Sequence, residues 1–269
     1  MRTPTRRIGT LVALSAVTAL ALSACGGGDD APATSESGVA LVESGKLIAC
    51  THLPYEPFEF NDGGTISGFD VDIVAEVAKD LGVELEVVDT PFEGIQTGED
   101  LSTDKCDVAA AGMTITDVRE EALDFSDAYF EATQALMVKA DSDIATLADL
   151  EGKKLGVQAA TTGEIYAEDE APGAELVQFE DLALLQTAVQ TGQVDAAIND
   201  NGVLLDFVSK NDDVQVVTEF DTGEQYGIGV KTGNADLLEA VNATLERLTT
   251  DGTYDTIYED WFGAAPATS

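Results

Sequence analysis

The chain has 269 residues and carries 51 Asp and Glu against 13 Lys and Arg, a formal net charge of −38. A surface of that sign repels phosphate backbones and anionic headgroups, which excludes general affinity for nucleic acid or acidic lipid. About 220 residues lie between an apparent leader and a short tail, enough for one large core or two modest ones.

Residues 1–24 read as a leader outside the fold. Arg2, Arg6 and Arg7 form a basic start, and Ile8 to Leu22 is a mostly apolar run too short for a comfortable membrane span. It closes in Leu22-Ser23-Ala24-Cys25, which resembles a bacterial lipobox and implies cleavage before Cys25 with a diacylglyceryl thioether on its sulfur. Two acyl chains meet what stable anchoring needs. The mature protein is then expected lipid-anchored on the extracytoplasmic face of the cell membrane. An ordinary signal peptide that happens to contain a Cys is the alternative. Residues 25–44, rich in Gly, Ser, Ala and acids, read as a flexible tether.

Lys46-Leu47-Ile48-Ala49-Cys50 reads as a buried strand running to His52, followed by a loop to Phe60 that carries Pro54 and Pro57. Gly68-Phe69-Asp70-Val71-Asp72 opens a helix whose Val71, Val74, Val77, Ala78 and Leu81 share one face, and Gly82 ends it. Val83 to Val88 alternates as a second strand, and Phe92 to Leu101 is a weaker helical segment. Cys106 to Ala111 reads as a third strand. If it is a parallel neighbour of the first, Cys50 and Cys106 sit about four positions apart, roughly 13 Å at 3.3 Å per residue. That argues against a disulfide between them.

Ala111-Gly112-Met113-Thr114-Ile115-Thr116 then leads into a short helix, Asp117 to Leu123, with Thr116 as its N-cap. Arg119 in the first turn sits at the wrong end of the helix dipole. A guanidinium fork beside free N–H groups at a helix start suits a carboxylate. A surface Arg paired with Glu120 or Asp124 is the other reading.

Further on, strands are predicted at Ala135–Val138, Lys154–Gln158, Leu176–Phe179, Val194–Ile198, Val214–Val217 and Tyr226–Val230. Helices are predicted at Leu147–Gly152, from Glu164, at Leu182–Thr191 before Gly192, at Gly202–Ser209, over Leu237 to Leu248, and around Tyr254 to Trp261. Alternating strands and helices argue for α/β architecture with parallel sheets. Two strand-turn-helix series, starting near Lys46 and Lys154, argue for two doubly wound lobes. Ligands in such sheets sit off the C-terminal strand ends, here His52, Gly112, Gln158 and Asn199-Asp200. No P-loop, GxGxxG or GxSxG occurs, and the single His and scattered Cys make no zinc set, so no cofactor or metal is expected.

Five stretches occur in order: Tyr55-Glu56-Pro57-Phe58-Glu59-Phe60, Gly68 to Asp72, Ala111 to Thr116 with Arg119 and Asp124-Phe125-Ser126, Gly152 to Val157 with Thr161-Thr162, and Asp251-Gly252-Thr253-Tyr254 through Trp261-Phe262-Gly263. With them the chain from about Gly45 to Gly263 resembles the extracellular solute-binding proteins of polar amino-acid ABC importers, the group that includes glutamine- and histidine-binding proteins. The resemblance implies two lobes joined by two crossing segments, near Met137–Lys139 and Gly227–Lys231. Lobe one would comprise 45–137 and 229–263, lobe two 138–228, with 264–269 as a tail. A free amino acid would be held between the lobes by hinge closure.

The same resemblance implies roles. Arg119 would clamp the ligand α-carboxylate, helped by the Thr114 and Thr162 N–H groups. Asp200 would pair with the α-ammonium, with the Gly112 carbonyl and Thr114 hydroxyl as further acceptors. Tyr55 and Phe92 would wall the ligand side chain. His52, Gln158 and Asn199 occupy side-chain-facing places, and His52 stands where many members carry an Asp. Loss of that acid favours glutamine or glutamate over a cationic ligand. The implied partners are the amino acid and an ABC permease, with a monomeric binding protein. The alternatives are a cyclohexadienyl-dehydratase-like enzyme, with Asp200 or Glu164 as acid, and a tethered amino-acid sensor without a transporter.

Overall fold

The structure is a computed structural model describing residues 33–34, 38–264 and 266. The predicted leader 1–24, the lipidation at Cys25, much of the tether and most of the tail lie outside the described residues. β1 (Ala33–Thr34) pairs antiparallel with β2 (Ala40–Leu41). Val39 and Leu41 are buried in the main core. Asp107 accepts the Val42 N–H at 2.6 Å and the Ile48 N–H at 2.8 Å, fixing this segment to the first strand of the domain. The packed chain therefore starts before residue 45, because two apolar residues in the presumed tether reach the core.

Next come β3 (Lys46–Thr51), the hairpin of β4 (Phe60–Asp62) and β5 (Thr65–Ser67), α1 (Phe69–Leu81) and β6 (Glu84–Asp89). α1 follows its sequence pattern. Ile73, Val74, Val77, Ala78 and Leu81 bury one face, and Gly82 in the left-handed region closes the helix on the Ala78 and Lys79 carbonyls. Gly68 must be glycine: its φ is +146°, and a Cβ there would lie 1.9 Å from the Phe58 carbonyl oxygen. α2 (Phe92–Gln96), α3 (Glu99–Ser102), β7 (Val108–Ala109), α4 (Asp117–Glu120) and β8 (Leu123–Phe125) follow.

The middle of the chain forms β9 (Phe130–Lys139), a 3-10 turn at Leu147–Leu150, β10 (Lys154–Gln158), α5 (Thr162–Glu170), β11 (Glu175–Phe179), α6 (Leu182–Thr191), β12 (Ala196–Asp200), α7 (Asn201–Lys210) and β13 (Val214–Tyr226). β14 (Gly229–Lys231), α8 (Ala235–Asp251) and α9 (Thr253–Phe262) complete it. Two five-stranded sheets result, ordered β6-β3-β7-β14-β8 and β11-β10-β12-β9-β13. Each is the centre of one α/β lobe, as expected, but neither is wholly parallel. β3 runs parallel to β6 and β7, and β10 to β11 and β12, while β14 and β9 are antiparallel to their neighbours. The antiparallel strands are those by which the chain enters and leaves a lobe, so they run back along the sheet.

The chain passes between the sheets twice. The first passage is Ser126 to Tyr129, between β8 and β9; the second is Gly227-Ile228, between β13 and β14. They lie side by side: Ser126 N–H donates to the Ile228 carbonyl and Ile228 N–H to Ser126 Oγ, each at 2.9 Å, and Tyr129 N–H donates to the Tyr226 carbonyl at 3.0 Å. Met137–Lys139, expected as the first crossing, instead pairs with Ala196, Ala197 and Val214 inside the second sheet. The apolar run Ala135–Val138 marks only the second half of a longer strand whose first half, Phe130 to Gln134, carries no strand signal. C-terminal α9 closes the fold at this junction. Phe262 lies 5.3 Å, ring to ring, from both Phe69 and Phe130, and the Trp261 indole N–H donates to Asp72 at 2.7 Å.

Cys50 and Cys106 form a disulfide with Cα atoms 5.7 Å apart, contrary to the expectation from strand spacing. β7 is only Val108–Ala109, paired to Ala49–Cys50. Cys106 precedes it in irregular chain after α3, so a count along an extended strand does not apply. Both Cys join Ile48, Phe92, Ile95 and Met113 in a small core beneath the cleft.

Candidate functional site

The loop between β7 and α4 is held in place from three sides. Gly112 has φ +51° and gives its N–H to Asp70 Oδ2 at 2.8 Å; a Cβ would stand 2.7 Å from the Tyr55 ring. Ile115 N–H donates to the Gln225 carbonyl at 2.8 Å, and Thr114 bridges Tyr226. The Thr116 side chain caps α4 by accepting the Arg119 N–H at 3.3 Å, as predicted.

That short helix turns Arg119 inward. The side chain is buried, with Nη1 donating to the Thr114 carbonyl at 2.8 Å and Nη2 to the Ala160 carbonyl of the other lobe at 3.2 Å. The guanidinium carbon stands 5.2 Å from the centroid of the Phe92 ring. Among the described residues no carboxylate pairs with it directly, and the surface ion pair with Glu120 or Asp124 is not formed. Burial lowers its pKa, while the charges of Asp200 and Glu224 act to raise it. An Arg retains its charge under such opposing influences.

Asp200 ends β12 and precedes α7, but its side chain does not cap that helix. It turns into the cleft. Its carboxylate takes a hydrogen bond from Gln134 Nε2 at 2.5 Å and lies 2.8 Å from the Tyr55 hydroxyl, with a very short bond from Tyr226. Burial, then Glu224, pushes Asp200 up to about 6, against the pull of these donors. Burial and Asp200 together raise both phenols well above the ordinary tyrosine range, so each remains a donor.

α5 starts at Thr162, capped by Thr161, whose hydroxyl accepts the Glu164 N–H at 3.2 Å. The Thr162 and Thr114 hydroxyls donate to one oxygen of Glu224 on β13, at 2.7 and 2.8 Å. Glu224 therefore links side chains of both lobes. Gln134 Nε2 lies 3.0 Å from its other oxygen.

A cavity lies between the lobes, with about 330 Å³ of empty space that includes its opening to solvent. Its wall includes Arg119, Asp200, Gly112, Thr114, Thr162, Tyr55, Phe92, His52 and Gln158. The expected strand ends thus converge on one cleft. Asn199 is buried behind this wall: its Nδ2 donates to Gln158 Oε1 at 3.1 Å, and its Oδ1 accepts the Asp200 N–H at 2.8 Å. His52 lines the cavity with its ring, while its nitrogens face carbonyls, Nδ1 2.9 Å from Thr90 O and Nε2 3.4 Å from Glu180 O. Glu164, a candidate acid for the enzyme alternative, accepts the Ala160 N–H at 2.8 Å and does not line the cavity.

Sequence reasoning missed Glu59, Gln134, Glu224 and Tyr226. The cavity wall also includes Glu59, which is in a quoted stretch but passes there as one acid among many. Glu224 belongs to a strand end without apolar periodicity, and Tyr226, expected to open the strand Tyr226–Val230, instead ends β13. Among the described residues no cluster of His, Cys, Asp and Glu could hold a metal ion. No described helix is long and apolar enough to cross a membrane.

The sequence profile of the bacterial extracellular solute-binding proteins, family 3, matches residues 47–264. The chain is 34% identical to the ABC transporter glutamine-binding protein GlnH of Bacillus subtilis (strain 168), covering 97% of this chain and 99% of that protein. It is 34% identical to the L-cystine-binding protein TcyJ of Escherichia coli (strain K12), over 82% of this chain and 84% of that protein. Among solved structures, an ancestral arginine-binding protein bound to glutamine superposes with a TM-score of 0.78 at 44% identity, covering 82% of this chain and 99% of that one. All three are named as binding proteins, so the dehydratase alternative is not favoured.

Proposed function

The chain belongs to the bacterial extracellular solute-binding proteins, family 3, and from that premise we propose that it captures a free polar amino acid between its lobes and delivers it to a membrane ABC permease. The observation that carries this reading is the pairing of one buried cation with one buried anion across a single cavity, Arg119 with Asp200. A zwitterion leaving water needs a partner for each charge, or its burial is prohibitive. Arg119 with the Thr114 and Thr162 N–H groups takes the α-carboxylate. Asp200, the Gly112 carbonyl and the Thr114 hydroxyl take the α-ammonium. Tyr55 and Phe92 pack the side chain.

Glutamine is the ligand favoured, with glutamate second. Asp200 N–H can only donate, so it fixes Asn199 Oδ1 as an acceptor and turns Asn199 Nδ2 toward Gln158. Gln158 Oε1 is then occupied, and its Nε2 hydrogens are what it offers the cavity. A donor there suits an amide or carboxylate oxygen, and offers nothing to a guanidinium or ammonium. Glutamate ranks lower because it would add a negative charge to a cavity that already holds Asp200 and Glu59. The protein works as a monomer, tethered through lipid on Cys25.

A thermal-shift screen of the soluble chain against the twenty amino acids and cystine tests this. A ligand that binds only the folded state raises the melting temperature by mass action. Glutamine is expected to give the largest rise. In Arg119→Ala the affinity should drop at least about 100-fold, the usual scale for leaving a buried charge unpaired. No shift with any amino acid would refute the reading; a larger shift with arginine would refute the ligand.

A further inference from the structure

Glu59 lies in the loop after β3, held by backbone bonds to Tyr55: Tyr55 N–H to the Glu59 carbonyl at 2.7 Å and Glu59 N–H back at 3.2 Å. Its side chain lines the cleft cavity and is 0% exposed. Neither carboxyl oxygen has a hydrogen-bond donor among the described residues. Asp70 differs: one oxygen holds the Gly112 N–H, and the Tyr129 hydroxyl acts on its carboxylate as a donor. Buried carboxylates without donors are too costly to keep ionised, so Glu59 keeps its proton.

The charges around Glu59 agree. It faces Asp70 from α1 and Asp200 from the end of β12, both anionic when ionised, and Tyr55 and Tyr129, both phenols. Glu224 on β13 adds its charge beside Asp200. Among the described residues the one basic side chain on the cavity wall besides His52 is Arg119, whose Nη1 and Nη2 each donate to a carbonyl. Burial is the first cause that pushes Glu59 well above the ordinary carboxylate range, and Asp70 and Asp200 add to it.

We propose that Glu59 is a proton-holding residue of the ligand site: it keeps a proton in the empty cleft, and arrival of the ligand's ammonium beside Asp200 expels it. The step breaks only the carboxyl O–H bond, and the proton passes to solvent. Capture of the amino acid, on the functional reading above, is then an exchange of a cationic group for a proton. The cleft is spared an unbalanced group of buried carboxylates when empty, and the ligand's ammonium balances Glu59 when it is filled.

Infrared difference spectroscopy of the ligand-free protein at neutral pH tests the first half without any ligand. The wild type should show the carbonyl band of a buried protonated carboxylic acid, and Glu59→Gln should lack it. Absence of the band in wild type, or its persistence unchanged in Glu59→Gln, overturns the proposal. Calorimetry with L-glutamine in two buffers of unlike ionisation enthalpy tests the second half. Wild type should release about half a proton or more per ligand, and Glu59→Gln clearly less. Equal release by both would overturn the exchange. If no amino acid binds, the functional reading fails, and the infrared result still decides whether Glu59 holds a proton.

Discussion

Asp70 and Asp200 are the residues at which the cleft acts on the whole molecule's pH response. Both stand at about 6 in the fold, against 3.8 ordinarily, with burial the first cause in each. A carboxyl whose pKa is raised by folding contributes stability that is full below about 4 and is lost as pH rises through about 6, on the order of 3 kcal/mol each. The melting temperature of the ligand-free protein should therefore fall between pH 5 and pH 7.5. Asp200→Asn should flatten part of that slope, which separates its contribution from relief of the general negative charge. Ligand affinity runs the opposite way, because the ammonium needs Asp200 ionised: calorimetry should show glutamine binding weaken as pH falls through about 6. Affinity that strengthened with acid would remove Asp200 from the ammonium end. Of these residues, Asp200 was legible because it closes an apolar strand at the expected sheet edge. Glu59 and Glu224 were not, because 51 acids give a single acid no contrast.

The elements that carry a strong period were read directly. α1 and α6 have apolar faces and a glycine that terminates each in the left-handed region, and both were expected at their ends. β13 was expected as Val214–Val217 and extends to Tyr226, because its far half alternates exposed and half-buried positions against β9 and never forms an apolar run. β7 was expected longer than its Val108–Ala109, and that error led the disulfide astray. The bond joins residues 56 apart in sequence, and closing a loop of that length removes about 4 kcal/mol of unfolded-chain entropy. Reduction, or Cys50→Ser with Cys106→Ser, should lower stability in urea melts by about that much. An unchanged midpoint would mean that the small core under the cleft, with Ile48, Phe92 and Met113, holds the segment unaided.

Across the whole molecule, the two lobes were legible as two strand-helix series, while of the paths between them the first was misplaced and the second, expected near Gly227–Lys231, falls at Gly227-Ile228. Ser126–Tyr129 and Gly227-Ile228 are short, polar or glycine-containing, and carry no periodicity; only their mutual hydrogen bonds identify them. Their placement gives each lobe one charge of the proposed clasp. Arg119 belongs to the first lobe and Asp200 to the second, and Tyr55, Glu224 and the Ala160 carbonyl bind across between them. A ligand carrying both charges can bridge the lobes, and one lacking either cannot. Isothermal calorimetry of L-glutamine beside its α-amide and its analogue without the α-amino group measures this directly. The account predicts binding of glutamine and a loss of at least about 100-fold for each analogue, the scale expected when a buried charge is left without its partner. Binding of either analogue as tight as that of glutamine itself would contradict it.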